Sequence, residues 1–233
     1  MQTTTDTGAR RWLTVWVMPI MSGLILAAAF APSPMGFLAY VGLMPVLLSA
    51  ERLRGRTAFC AGFVQGIAFY GATIYWISWI TPAGALGAIL YLSAFRGLTL
   101  LALSAVIRRF GALGMWAAPL LFVAFEYFNG IGDMGFPWLV LGNSQTAYLP
   151  LIQYASVTGV FGVSFWVVLL NVTGLHVLMR RVPVLAGIAA LACMFVLPAA
   201  HGFLALSRTP EGGTTSVAVV QPNTPPVAKE TRG

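Results

Sequence analysis

The stretch GFPWLVLGNSQ (residues 135–145) decides the fold, because it is uncharged and aromatic and yet unsuited to crossing a bilayer. Only fifteen residues run from Phe136 to Pro150, with Pro137 near one end and Asn143-Ser144-Gln145 in the middle. A spanning helix needs about 20 mostly apolar residues. Non-helical backbone at membrane depth persists only where protein or a watery cavity satisfies its polar groups. The stretch therefore predicts a loop folded into, or laid upon, the outer part of a helix bundle.

The composition of the whole chain is that of an integral membrane protein. The 233 residues are 58% hydrophobic and 8% charged, against about 25% charged in soluble domains. A net charge of +7 would suggest a nucleic-acid partner in a soluble protein. Here most arginines form short clusters between apolar runs, a pattern that indicates membrane topology. No nucleic-acid partner is predicted.

Seven apolar segments are predicted to span the membrane. They are residues 13–30, 35–50, 57–80, 85–107, 110–128, 156–179 and 184–203. The first has two interpretations, a membrane helix or the apolar part of an export signal cleaved after the small-x-small pattern Ala29-Phe30-Ala31. The helix is favoured, and either interpretation leaves the next segment starting outside.

The arginine clusters orient these segments. Nine of the thirteen basic residues fall on one side of a seven-span protein, and the positive-inside rule makes that side cytoplasmic. The N-terminus is then cytoplasmic, while the loop 136–145 and the tail from residue 204 are periplasmic. Counting residues 136–150 as an eighth span would move Arg180-Arg181 outside, so that count is rejected. The predicted fold is an all-α polytopic membrane protein with about seven transmembrane helices and a partly buried periplasmic loop.

The tail has a different character from the rest of the chain. Residues 207–215 are polar and glycine-containing, and Ser216–Val220 is a short run containing three valines, which predicts a strand. A single strand needs a sheet to receive its hydrogen bonds. Two parts are therefore predicted, a transmembrane domain (1–203) and a periplasmic linker with the first strand of a further domain (204–233).

Two charged residues inside the apolar segments are candidates for a site. Arg96 lies near mid-membrane, where a charge is a functional hypothesis by default, although a side chain snorkelling toward Arg108-Arg109 is an equal alternative. Glu126 is expected near the outer end of its segment, which makes it a poor partner for Arg96. Its favoured role is to accept backbone N–H groups of the loop 135–145, and substrate contact is the alternative.

Several stretches resemble the N-terminal membrane part of the apolipoprotein N-acyltransferases, bacterial inner-membrane enzymes that add the third acyl chain to lipoproteins. The matching stretches are Ala29-Phe30-Ala31-Pro32, Tyr75-Trp76-Ile77, Glu126 twelve residues before Trp138, GFPWL (135–139) with GNSQ (142–145), PLIQYA (150–155), GVFGVSF (159–165) and VVQPN (219–223). The last of these resembles the first strand of the family's nitrilase-like domain. The resemblance extends over nearly the whole chain.

The resemblance implies a phospholipid acyl donor and a diacylglyceryl-lipoprotein acceptor whose N-terminal cysteine becomes acylated. It implies an external nitrilase-like domain with a Glu-Lys-Cys triad, whose thiol carries the acyl group as a thioester. The triad is expected after residue 233, so the isolated chain is predicted to be inactive. Cys60 and Cys193 lie in predicted membrane helices, and the lone Lys229 is in the tail. No cofactor is predicted, and His176 and His201 lack the spacing of metal ligands.

Candidate residues for contact with lipid or substrate, or for holding the loop, follow from these motifs. They are Glu126, Phe136, Pro137, Trp138, Ser144, Gln145, Tyr75 and Trp76. The chain departs from the family pattern at Asn129, where an arginine is common, and at Arg96, where the family is normally uncharged. Loss of the arginine at position 129 puts headgroup contact there in doubt.

A non-catalytic function is the alternative to the enzyme. The chain would then be a membrane scaffold that docks a separately encoded nitrilase-like subunit or a polyprenol-phosphate glycosyltransferase. A small transporter would require paired broken helices or internal symmetry, and the sequence shows neither.

Overall fold

A computed structural model describes residues 12–30, 32–208 and 215–221, and within these ranges the regular structure is helical throughout. The α-helices are α1 (Met18–Ala28), α2 (Ala39–Gly42), α3 (Met44–Arg52), α4 (Gly55–Thr73), α5 (Pro82–Phe110), α6 (Ala118–Asn129), α7 (Leu149–Ile152), α8 (Ala155–Leu178) and α9 (Val184–Leu206). A π-helical turn, Leu13–Val17, leads into α1. Short 3-10 segments lie at Gly36–Leu38, Tyr75–Trp79, Gly111–Ala117, Pro137–Leu139 and Leu141–Gln145.

Three helical segments of the described chain are long and apolar enough to cross a membrane. They are Pro82–Asn129, Ala155–Leu178 and Val184–Leu206, and Leu13–Ala28 is a shorter apolar helix. The first segment contains α5, the 3-10 segment Gly111–Ala117 and α6. The protein is thus an all-α membrane protein, as the composition predicts.

The antiparallel helices α4 and α5 pack closely against each other. A Cβ added to Gly66 would lie 2.6 Å from Cα of Ser93, and one added to Gly97 would lie 2.7 Å from the Phe59 ring. Small residues let two helix backbones approach closely, which is the usual source of helix association where water supplies no driving force.

An asparagine side chain interrupts the helical ladder between α2 and α3. The backbone N–H of Leu43 donates to Oδ1 of Asn171 (2.9 Å), and Nδ2 of Asn171 donates to the carbonyl of Ala39 (2.8 Å). In an unbroken helix the Leu43 N–H would bond to the Ala39 carbonyl directly. The amide of Asn171 therefore replaces one helical hydrogen bond with two tertiary ones.

Helix α9 packs on α7 and α8 at the periphery and contains Pro198. Proline has no N–H, so the carbonyl four residues earlier, that of Met194, loses its helical partner. The indole Nε1 of Trp166 donates to that carbonyl at 2.8 Å. The Trp166 ring also packs edge-on against Tyr40 and Phe195.

Three arginine clusters lie at one end of the bundle. The guanidinium of Arg181 pairs with both carboxylate oxygens of Glu51, which raises the pKa of Arg181 and joins the α8–α9 turn to the end of α3. The antiparallel pairing of α4 with α5 places Arg54 and Arg56 beside Arg108 and Arg109. The aromatic residues of positions 75–79 and 136–138 lie at the opposite end.

Two sequence expectations differ from the structure. The third predicted span, 57–80, ends early, because α4 stops at Thr73 and Ile74 leaves the helical conformation. Tyr75 and Trp76 therefore lie on a 3-10 segment beyond the helix. The predicted strand Ser216–Val220 is not formed, since residues 215–221 are neither helix nor strand and no described segment pairs with them. Residues 222 and 223 and Lys229 fall outside the described ranges.

Candidate functional site

The last turn of α6 holds both ends of the segment that carries Trp138. The backbone N–H of Phe136 donates to the carbonyl of Asn129 at 2.9 Å, and the N–H of Leu141 donates to Oε1 of Glu126 at 3.0 Å. Since Glu126 and Asn129 are one turn apart, a single helix end fixes the whole segment 136–141. Buried backbone donors must find partners, and the carboxylate supplies one of them.

The remainder of the loop rests on the start of α8. Gly142 donates its N–H to the buried hydroxyl of Ser164 at 2.8 Å, and a Cβ on Gly142 would lie 2.5 Å from the carbonyl of Val160. Gly159 has φ +66°, in the left-handed region that favours glycine, and kinks α8 at this point. The kink and the small Gly142 together let the loop backbone lie directly on the helix.

Ser144 and Gln145 lie inside the protein. The Ser144 hydroxyl donates to the carbonyl of Leu141 at 2.7 Å. Nε2 of Gln145 donates to the carbonyl of Gly36 at 2.9 Å and to the Ser144 oxygen at 2.8 Å. Both side chains are buried. They fasten the loop to the Gly36–Leu38 turn and present no polar group to the surface.

The aromatic candidates form an exposed surface at the end opposite the arginines. The rings of Trp76 and Trp138 stack at 6.2 Å with an angle of 8°, and Phe136 packs 5.1 Å from Trp138. Trp138 is 61% exposed. We call Trp76, Phe136 and Trp138 the aromatic surface. Pro137 begins the 3-10 turn that presents Trp138, and Tyr75 packs on Trp79 beside this surface.

Arg96 and Glu126 form a buried ion pair, and the expectation that they are poor partners is wrong. Nη2 of Arg96 lies 3.7 Å from Oε1 of Glu126, and the two side chains are 5% and 9% exposed. The guanidinium carbon also lies 5.4 to 5.9 Å from the ring centres of Phe69, Tyr70 and Phe122. These contacts hold Arg96 in the interior, so its side chain does not snorkel toward Arg108-Arg109.

The length of α5 explains why Arg96 and Glu126 were wrongly expected to lie at different depths. At 1.5 Å per residue its 29 residues extend about 43 Å, well beyond the bilayer core of about 30 Å. Helix α6 begins only at Ala118, after a 3-10 segment, and the loop 130–148 continues past its end. Arg96 and Glu126 therefore reach the same depth, although each lies at a different distance from the end of its own apolar run.

The ion pair lies at a small cavity within the bundle. The cavity is lined by Tyr70, Phe95, Arg96, Thr99, Phe122, Phe125, Glu126 and Asn129. Three buried atoms of these residues have no hydrogen-bond partner among the described residues: Arg96 Nη2, Glu126 Oε2 and Asn129 Oδ1. The polar part of the site thus has one donor and two acceptors available.

The described residues contain no cluster of three His, Cys, Asp or Glu side chains suited to a metal. Both cysteines are free, and Cys60 and Cys193 lie on the outer surfaces of α4 and α9. This part of the chain can bind a polar group at the cavity, support an exposed aromatic surface, and hold the loop between them.

Residues 22–173 match the family model described as the apolipoprotein N-acyltransferase N-terminal domain. The chain belongs to the apolipoprotein N-acyltransferase family. This match confirms the family resemblance that the motifs indicate. It also supports a family context of lipoprotein N-acylation.

Curated relatives of the same name span most of this chain. The apolipoprotein N-acyltransferase of Geobacter metallireducens is 33% identical over 229 residues, which cover 89% of this chain and 43% of the relative. The apolipoprotein N-acyltransferase of Chlorobaculum tepidum is 29% identical over 223 residues, which cover 91% of this chain and 42% of the relative. The apolipoprotein N-acyltransferase of Haemophilus ducreyi is 31% identical over 166 residues, which cover 68% of this chain and 33% of the relative. The chain spans less than half the length of these apolipoprotein N-acyltransferases.

Sequence reasoning missed several residues that the structure places at the cavity and beneath the loop. Ser164 and Tyr70 were not singled out, and Asn129 was noted only as a departure from the family pattern. The available signal was a polar side chain within or beside an apolar segment. Arg96 and Asn129 line the same cavity.

Proposed function

We propose that this chain forms the membrane domain of an apolipoprotein N-acyltransferase, which admits a phospholipid acyl donor and a diacylglyceryl-lipoprotein acceptor. The observation that carries the proposal is the family match over residues 22–173. In the complete protein, a thiol would take the acyl group from a phospholipid ester as a thioester, releasing a lysophospholipid. Attack by the α-amine of the lipoprotein's N-terminal cysteine would then form an amide and regenerate the thiol. Covalent catalysis of this kind divides one difficult transfer into two steps.

The aromatic surface is the proposed point of lipid contact. Tryptophan rings favour the membrane–water interface because one part is apolar and the indole N–H remains polar. Trp138 is exposed, stacks on Trp76, and is carried by a segment fixed at both ends to α6. A rigid exposed ring pair of this kind suits the glycerol and first methylenes of a phospholipid. Glu126, Ser144 and Gln145 are proposed to position the loop and not to contact the lipid.

The proposed topology has seven spans, with the N-terminus in the cytoplasm and residues 130–148 in the periplasm of the bacterial inner membrane. It is supported by the gathering of the described arginine clusters at one end of the bundle and of the aromatic surface at the other. Positive charge is retained on the cytoplasmic side. The proposed domains are a transmembrane part, residues 1–203, and a periplasmic part that begins at residue 204.

Acyl transfer by the complete natural protein tests the function. The protein is reconstituted with a phospholipid that carries an isotope-labelled acyl chain and with a synthetic diacylglyceryl peptide, and the peptide mass is measured. We expect a labelled acyl chain on the N-terminal amine. Trp138→Ala should lower the rate about tenfold, a loss of about 1.4 kcal/mol of transition-state stabilisation. Trp16→Ala, at an exposed position on the first helix, is the matched control and should leave the rate unchanged.

Two outcomes would count against the proposal. Absence of labelled peptide with every phospholipid class would reject acyl transfer as the function. Transfer by a second polypeptide that co-purifies from native membranes would favour a scaffold that docks a separate subunit.

Transfer that survives the double change Cys60→Ala and Cys193→Ala would show that neither cysteine in the bundle is the nucleophile, as we expect.

A further inference from the structure

The buried ion pair leaves hydrogen-bonding capacity that the described protein groups do not use. Arg96 Nη2 is a donor, while Glu126 Oε2 and Asn129 Oδ1 are acceptors, and all three are buried with no hydrogen-bond partner among the described residues. Nη2 lies 3.7 Å from Oε1 of Glu126, which is an ion-pair contact but beyond hydrogen-bond distance. An unsatisfied buried polar atom costs about 1–3 kcal/mol, and more when it belongs to a charged group. All three residues line the same cavity.

We infer that Arg96, Glu126 and Asn129 bind one internal water molecule. Water accepts one hydrogen bond from the guanidinium and donates one each to the carboxylate and the amide oxygen, which matches the three unused atoms. The part of the cavity that a water-sized sphere can enter has room for about one such molecule. Buried waters typically make about three hydrogen bonds of this kind.

Charge and size exclude other occupants. The charges of Arg96 and Glu126 cancel, so a phosphate would meet the carboxylate and a cation would meet the guanidinium. A phospholipid headgroup is much larger than the space. The remaining walls are mainly aromatic, with Phe95, Phe122 and Phe125 among them, and offer little to a larger polar ligand. The site is built for a single neutral molecule with two donors.

The water and Arg96 together position the loop. Glu126 uses Oε1 to accept the N–H of Leu141 (3.0 Å), and the carbonyl of Asn129 accepts the N–H of Phe136 (2.9 Å). A carboxylate buried without compensation is strongly unfavourable, so at a pH that keeps Glu126 ionised, loss of Arg96 would drive its carboxylate out of this position. Arg96 is therefore a positioning residue, which acts on segment 136–141 through Glu126 and Asn129.

A structure of the complete natural protein in lipid nanodiscs, at a resolution that shows ordered water, tests the site directly. We expect one spherical density peak within hydrogen-bond distance of Arg96 Nη2, Glu126 Oε2 and Asn129 Oδ1. An empty cavity, or elongated density continuous with a lipid, would overturn the inference. This measurement uses the unmodified protein and so does not depend on any variant folding.

Hydrogen exchange tests the positioning role independently of acyl transfer. In the complete protein, Arg96→Leu should accelerate amide exchange of the peptide 136–145 at least tenfold. Adding Glu126→Gln to that variant should restore most of the protection, because glutamine still accepts the Leu141 N–H but carries no charge. Arg109→Leu makes the same change at an exposed position of α5 and should leave the exchange unaltered. Unchanged exchange in Arg96→Leu, or no recovery in the double variant, would contradict the positioning role.

Discussion

Asn171 and Leu43 are joined by a hydrogen bond that crosses 128 positions of sequence and replaces a helical one. The side-chain amide of Asn171 accepts from Leu43 and donates to Ala39, so it lies between two groups that would otherwise bond to each other. Insertion of a side chain into the ladder is a recognised cause of helix kinks. The kink between α2 and α3 is therefore stabilised from α8 and not by local sequence alone.

Asn171→Leu should destabilise the protein by about 1–3 kcal/mol, because both the Leu43 N–H and the Ala39 carbonyl lose their buried partner. The measurement is the midpoint of denaturation in mixed detergent micelles, followed by tryptophan fluorescence. Asn171→Asp keeps an acceptor for Leu43 but has no donor for Ala39, and it should be at least as unstable. A midpoint equal to that of the natural protein would show that α2 and α3 simply re-form the helical bond.

Trp166 and Pro198 should be energetically coupled. Trp166→Phe keeps most of the aromatic packing but leaves the Met194 carbonyl unpaired, at a cost of about 1–2 kcal/mol. Pro198→Ala supplies a backbone N–H to the same carbonyl. The double variant should therefore be more stable than the sum of the single effects indicates. Strict additivity in the same denaturation assay would mean that the indole bond contributes nothing to stability.

The close contact of α4 with α5 predicts a sharp difference between two glycines of one helix. Gly66→Ala should destabilise by about 1–3 kcal/mol through overpacking, because the new Cβ would lie 2.6 Å from Cα of Ser93. Gly71→Ala is the matched control, since nothing lies within 4 Å of its Cβ position. That change should stabilise α4 by up to about 1 kcal/mol. Equal effects at the two sites would show that the helices separate easily.

The proposed orientation predicts which loops a membrane-impermeant thiol reagent reaches. In a background with Cys60→Ala and Cys193→Ala, a cysteine replacing Ala147 should be labelled from outside intact cells. One replacing Arg54 should be labelled only after the membrane is opened. Both positions are exposed on the protein, so access depends on the side of the membrane. The opposite pattern would invert the topology.

The ends of α8 and α9 could be predicted well from the sequence, because Arg180-Arg181 and Pro183 separate the two apolar runs. The predicted segment 156–179 became Ala155–Leu178, and 184–203 became Val184–Leu206. The loop at 135–145 was also located, because its prolines and polar triplet exclude a spanning helix. Hydropathy alone determined these features, and hydropathy is a local property of the chain.

The relations within the site could not be predicted in the same way. Whether Glu126 meets Arg96 depends on how far α5 and α6 are shifted along each other, which no local pattern encodes. The inward direction of Gln145 depends on a partner, the Gly36 carbonyl, more than 100 positions away. A strand at 216–220 requires a sheet, and no described segment provides one.

The peripheral position of α9 has a consequence for the order in which the bundle assembles during synthesis. Helix α9 is the last described helix to leave the ribosome, and its only buried residues are Gly187 and Gly202. The polar contacts around the loop, from Glu126 to Ser164, involve earlier segments and can form before α9 arrives. Until then the Trp166 indole has no carbonyl to bind. Arrival of the Met194 carbonyl would therefore add a contact to a bundle whose loop is already held, and interruption of translation within α9 should yield a membrane-inserted intermediate whose loop is already in place.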